Sequence, residues 1–76
     1  MVMTRLEPGA TIPAHFHTKA DETVFVVTGD FIEDGVTHGP GSFFAAPAGI
    51  PHGPHGTRTG CVVLTTFSAV LDFQLA

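Results

Sequence analysis

The sequence predicts an all-β fold: a small sandwich or barrel of antiparallel strands. Three observations lead there. Nine Gly and six Pro punctuate 76 residues. The apolar residues gather into short runs rich in β-branched and aromatic types. Apolar spacing with a helical period is nearly absent, so turns and short strands are the expected units.

Each element has its own signal. Thr23 to Thr28 (Thr-Val-Phe-Val-Val-Thr) and Cys61 to Phe67 (Cys-Val-Val-Leu-Thr-Thr-Phe) are the strongest strands. Ser42 to Ala46 is a third run, closed by Pro47. Met1 to Glu7 and Leu71 to Leu75 read as weaker terminal strands. Phe31 to Glu33 follows the turn signal Gly29-Asp30, and Asp34-Gly35 marks a tight turn. The two strongest strands are apolar on both faces, because Val24 and Val26 alternate with Phe25 and Val27. A second subunit is the expected cover for the outer face, so the sequence predicts a homodimer or larger homo-oligomer. The open alternative is one compact sandwich that covers both faces.

Length sharpens the need for support. The 76 residues predict one domain, 1–76. A chain this short buries only about 60% of its unfolded surface, so disulfides, a metal or a partner usually assist. Cys61 is the only cysteine, which excludes a disulfide within the chain. Three basic residues against seven acids give a net charge of −4. No basic patch exists for nucleic acid or for an anionic membrane surface. No signal-peptide pattern is seen in Met1 to Pro8, and no apolar stretch approaches a membrane span. With a lone thiol, a cytoplasmic location is expected.

Four of the five histidines form two clusters. His15-Phe16-His17 places two imidazoles on one face of a strand. Glu22 follows after a turn-length gap and opens the next strand, which returns it beside them. Two imidazoles and a carboxylate suit one divalent transition metal such as Fe(II), Mn, Ni, Zn or Cu. A third imidazole is available from His52 in Pro51-His52-Gly53-Pro54-His55-Gly56. Asp21 is an alternative carboxylate, but its strand parity is opposite to that of Glu22. His55 reads as a proton relay, a neighbour of the ligands or a surface residue. His38, among turn residues, reads as exposed. Cys61 reads as a small buried hydrophobe. Phe25, Phe43 and Phe44 are candidates to line a metal cavity.

Glycine and proline frame these ligands. Gly9, His15, His17, Glu22 and Gly29 stand with five, one, four and six residues between them. Gly41, Pro47, Gly49 and His52 stand with five, one and two. This pattern resembles the two signature motifs of the cupin superfamily. The gap Asp30 to Pro40 is short, and Gly56 replaces the usual terminal Asn of the second motif. The short gap resembles the subgroup that includes the ChrR-type cupin domains.

The resemblance implies a minimal jelly-roll β-barrel, self-contained or completed by strands of a neighbour. It implies one metal held by His15, His17, Glu22 and His52, with Fe(II) favoured. A small-molecule substrate is the implied partner. No Tyr is present, which excludes the Cys–Tyr cofactor of thiol dioxygenases and the Tyr of cupin epimerases. Arg5, Lys19 and Arg58 are the only cations, so the expected cavity is apolar. The expected function is a metal-dependent dioxygenase acting on a diketone or hydroxyketone, with Glu22 and His55 in catalytic roles. The alternatives are a non-redox metal lyase, isomerase or hydrolase, and a non-enzymatic metal- or ligand-binding module.

Overall fold

The computed structural model describes residues 1–76. The chain forms ten strands and no helix. They are β1 (Val2–Leu6), β2 (Thr11–Ile12), β3 (His15–Phe16), β4 (Glu22–Gly29), β5 (Phe31–Glu33), β6 (Val36–His38), β7 (Phe43–Ala46), β8 (His55–Gly56), β9 (Cys61–Phe67) and β10 (Gln74–Leu75). All pairs are antiparallel. One sheet has the order β1-β9-β4-β7 and a second the order β2-β8-β5-β6. β10 pairs with β3 as a two-stranded annex.

Without that annex, eight strands remain. In chain order the sheets run first-eighth-third-sixth and second-seventh-fourth-fifth. This is the double Greek key of a jelly roll. The chain therefore supplies every jelly-roll strand itself and needs none from a neighbour. It does so because β2 and β8 are only two residues long.

Alternation decides what faces inward. Val24, Val26, Phe31, Cys61 and Val63 are buried together, with Leu6 and Phe44 packed against them. Val26 is fully buried, worth roughly 1.5–3 kcal/mol for a side chain of this class. Phe25 and Val27, on the opposite parity of β4, are exposed. A bulge between Val26 and Thr28 shifts the register as β4 approaches Gly29.

The turns follow their residue chemistry. Asp34 (φ 47°) and Gly35 (φ 81°) both take left-handed conformations and join β5 to β6. Asp30 ties down the loop before β9. Its carboxylate accepts from the hydroxyls of Thr57 and Thr59 and from the amides of Arg58 and Thr59, at 2.6–3.0 Å. These bonds hold the Asp30 carboxyl well below the usual carboxylate range, the Thr59 hydroxyl bond contributing most.

Two expectations need correction. His38 does not sit in an exposed turn. It is half-buried in β6, its ring centroid 5.2 Å from that of Phe44. The terminal run from Leu71 shrinks to β10, because residues 68–73 instead cross the mouth of the barrel.

Candidate metal centre

β3, the start of β4 and the loop before β8 converge at one end of the barrel. His15 and His17 are buried, at 5% and 3% exposure. The main chain locks the two motifs together: His15 N donates to His52 O at 2.9 Å, and His52 N donates to His15 O at 2.8 Å. Gly49 N donates to His17 O at 2.7 Å, which anchors the second motif to the first. The spacing between ligands from distant sequence thus rests on backbone.

Side-chain partners then aim the rings. Nδ1 of His15 donates to the carbonyl of Pro13 at 2.7 Å. Nδ1 of His17 donates to the carbonyl of Asp72. Each Nε2 is left for the centre. Oε1 of Glu22 lies 3.2 Å from Nε2 of His17 and 3.2 Å from Nε2 of His52. The ligand atoms of His15, His17, Glu22 and His52 all lie within 4.8 Å of one another.

The donor set fits a divalent transition metal. Both ring nitrogens of His52 are buried without a hydrogen-bond partner. An orphaned polar atom of this kind costs about 1–3 kcal/mol, and coordination would relieve it at Nε2. Burial, followed by the nearby His15, also lowers the pKa of His52. That favours the neutral imidazole a metal requires.

Other candidates take different positions. Oδ1 of Asp21 accepts from Ala48 N at 2.7 Å and stands outside the cluster, as its parity predicted. His55 is buried in β8, with its Nε2 against Oε2 of Glu33. Burial lowers the His55 pKa, and the Glu33 carboxylate opposes that shift. Oε1 of Glu33 also accepts from Gly53 N at 3.0 Å, beside the ligand His52. Burial pushes the Cys61 thiol up, in keeping with an inert core residue.

The centre opens on a cavity of about 330 Å³ between the sheets. His15, His17, Glu22 and His55, with Thr4 and Thr65, supply its polar wall. Glu22 is the only carboxylate there, and no Lys or Arg lines it. The aromatic lining is Phe31, Phe67 and Phe73. This corrects the expectation for Phe25, Phe43 and Phe44. Phe25 and Phe43 are paired across β4 and β7 on the outer face, and Phe44 packs into the core.

The tail closes this end of the barrel. Phe73 stacks on His15 with centroids 4.3 Å apart. The Asp72 carboxylate accepts from the Thr18 amide and hydroxyl, each at 2.8 Å. Those bonds hold the Asp72 carboxyl down at about 2.

A family model described as the ChrR cupin-like domain matches residues 1–71. The chain belongs to the ChrR cupin-like family. Among solved structures, this cupin is similar to KdgF from Halomonas sp., with 28% identity and a TM-score of 0.80 over 92% of this chain and 67% of that one. It is similar to a sugar phosphate isomerase of the cupin superfamily from Silicibacter pomeroyi, with 32% identity and a TM-score of 0.70 over 90% of this chain and 48% of that one. It is also similar to the polyketide cyclase RemF from Streptomyces resistomycificus, with 22% identity and a TM-score of 0.79 over 97% of this chain and 57% of that one. At that identity RemF bears on the fold alone. The cupin thus spans about half to two thirds of the length of these structures. No curated protein matches it.

Glu33 and Asp72 were missed by sequence reasoning. Glu33 had a usable signal, since it shares strand parity with the buried Phe31. Asp72 had none, because it acts on residues 54 and 55 positions away.

Proposed function

We propose that this cupin is a metal-dependent enzyme that binds a small, neutral, apolar or aromatic ketone and removes a proton beside its carbonyl. Diketones and hydroxyketones are the substrate class, because two oxygens can chelate one ion. The observation that carries this reading is a four-ligand cluster, three of whose members (His15, His17 and Glu22) line a cavity that holds no cationic side chain. A phosphate or carboxylate substrate would find no guanidinium or ammonium there. When bound, the metal supplies Lewis-acid polarisation of the ligand oxygen.

The chain's own groups handle the proton. Glu22 lines the cavity and is the base. His55 also lines the cavity, and it touches Glu33, whose side chain is 22% exposed. The His55–Glu33 pair therefore gives a proton a route from the cavity wall to solvent. Phe31 stacks on His55 with centroids 5.1 Å apart and fixes its ring plane. Phe73, Leu71 and Phe67 keep bulk water from the bound ligand.

The test is proton–deuterium exchange at the α-carbon of acetylacetone-like and hydroxyacetophenone-like compounds, with each metal in turn. Exchange that depends on metal and falls in Glu33→Gln, at unchanged metal content, supports the reading. No exchange with any metal overturns it.

A second reading is dioxygen-dependent C–C cleavage of the same ligands by the Fe(II) form. It is favoured by the donor set, since three imidazoles and one carboxylate leave positions open on an octahedral ion. Stoichiometric oxygen consumption during turnover supports it. Turnover without oxygen uptake assigns the cupin to non-redox chemistry.

A further inference from the structure

Two threonines stand in the cavity wall where the strand pattern calls for hydrocarbon. The inward parity of β1 carries Val2, Thr4 and Leu6, that of β9 carries Cys61, Val63, Thr65 and Phe67, and that of β4 carries Glu22, Val24 and Val26. Glu22 belongs to the metal cluster. Every other member of this face except Thr4 and Thr65 is apolar, and both threonines line the cavity.

Their hydroxyls are poorly satisfied. Thr65 is 8% exposed, and its hydroxyl donates only to the Val2 carbonyl, at 3.3 Å. That is longer than the ~3.0 Å limit of a good O–H···O bond. The hydroxyl of the half-buried Thr4 bonds to no group of the chain. Other threonines away from solvent are engaged: Thr57 donates to the Asp30 carboxylate at 2.9 Å, and the Thr23 hydroxyl bonds that of Thr66. Threonine suits a strand, but valine has the same shape and would line an apolar wall without burying a hydroxyl.

Register sets the distance of these hydroxyls from the ligands. Glu22 pairs with Phe67, Val24 with Thr65, and Val26 with Val63, which in turn pairs with Thr4. Thr65 is therefore one strand across and two residues, about 7 Å, along the barrel from Glu22. Thr4 is its diagonal neighbour on β1. Phe31, Phe67 and Phe73 line the same cavity.

We propose that Thr65 and Thr4 determine which ketone this cupin accepts, by hydrogen-bonding a neutral alcohol at the end of the substrate remote from the metal. The inference rests on the ketone reading of the centre and adds the substrate class: an aryl ketone or diketone with an alcohol across the ring from its carbonyl. The ring spans the gap between the ligand cluster and Thr65, among the three phenylalanines. The alcohol donates to Thr65 Oγ1, whose own proton is directed at Val2, and accepts from Thr4. An alcohol suits this station better than a phenol. A carbonyl across the ring makes a phenol more acidic, and no cation in the cavity would balance the phenolate.

Isothermal titration calorimetry of the Zn(II)-loaded full chain tests the proposal with two probes of one size. They are benzoylacetone carrying a 4-hydroxymethyl group and benzoylacetone carrying a 4-ethyl group. The wild type should bind the alcohol about tenfold more tightly. Thr65→Val should reverse that preference, because the wall then favours the ethyl group, while Thr65→Ser should keep it. Thr4→Val should reduce it to about threefold. Thr66→Val, on the exposed parity of β9, should leave it at tenfold. Circular dichroism and zinc content confirm that each variant is folded and loaded. Equal binding of the two probes by the wild type, or a preference for the ethyl compound, overturns the inference and leaves the ketone reading standing. So does a preference that survives both valine variants, or one lost in Thr66→Val. Failure of both probes to bind the wild type overturns the ketone reading and this inference with it.

Discussion

Gly29→Ala should be far more damaging than Gly9→Ala, although both glycines hold left-handed backbone and both frame the first motif. Their φ angles are nearly equal, +79° and +82°. The backbone strain of adding a Cβ is therefore about the same, roughly 1–2 kcal/mol. Their surroundings differ. A Cβ at Gly9 meets nothing within 4 Å. A Cβ at Gly29 would stand 2.0 Å from the Gly60 carbonyl oxygen and 2.8 Å from Cys61 Cα. Ordinary contact needs about 3.5 Å, so the start of β9 must retreat by over ~1 Å. That motion strains the Gly29–Cys61 pair and the Asp30-tied loop beside it.

A domain of 76 residues has about 4–11 kcal/mol of stability at ~0.05–0.15 kcal/mol per residue. Gly9→Ala at about 1–2 kcal/mol should lower Tm by roughly 4–16 °C and leave a folded protein. Gly29→Ala adds a main-chain clash and should cost at least about 4 kcal/mol, which brings the chain to the edge of unfolding. Urea titration followed by far-UV circular dichroism is the assay, since the chain has neither Trp nor Tyr. Equal losses for the two variants would refute the reasoning, because strain alone would then explain both.

Other expectations concern the centre and its supports. Adding Zn(II) or Fe(II) to stripped protein at a hundred times its dissociation constant should stabilise it by about 2.7 kcal/mol, a Tm rise above ~10 °C. His52→Ala should abolish that rise in differential scanning calorimetry. Asp72 has a folded pKa of about 2 against 3.8 for the free group. Its stabilising contribution is therefore complete above about pH 4 and is lost as pH falls through 2. Asp72→Asn should flatten the Tm profile between pH 5 and 2; an identical profile would remove Asp72 from the account of acid stability. The same variant should weaken metal binding about tenfold in a chelator competition, because Asp72 positions the carbonyl that orients His17. Asp30→Ala should speed hydrogen exchange at the amides of Arg58 and Thr59, which both donate to its carboxylate.

Much of the centre was legible from local pattern. His15 and His17 declare a shared face by spacing, and Glu22 declares its return by the length of the turn. Asp34-Gly35 specified its hairpin through residues that tolerate left-handed backbone. Parity set Glu22 beside the imidazoles and Asp21 outside them. The cavity lining was harder, because Phe25, Phe43 and Phe44 are as apolar as Phe31, Phe67 and Phe73. Only the pairing partner of each strand decides which ring points inward. The short strands β2, β6 and β8 carry too few residues for any period to show. The tail was unreadable for another reason: its grip on Thr18 and His17 is tertiary, and no local preference encodes it.

The reciprocal main-chain bonds between His15 and His52 separate the frame of this centre from its chemistry. Peptide groups hold the two motifs at a fixed distance, and a peptide group is indifferent to the side chain it carries. A ligand can therefore be exchanged for another donor, or lost, without releasing the loop that bears it. Such a frame can pass between metal ions, or from catalyst to receptor, by single substitutions rather than by refolding. It also means that a chain retaining the frame is no guarantee of a retained reaction, so each member has to be judged on the atoms that face its cavity.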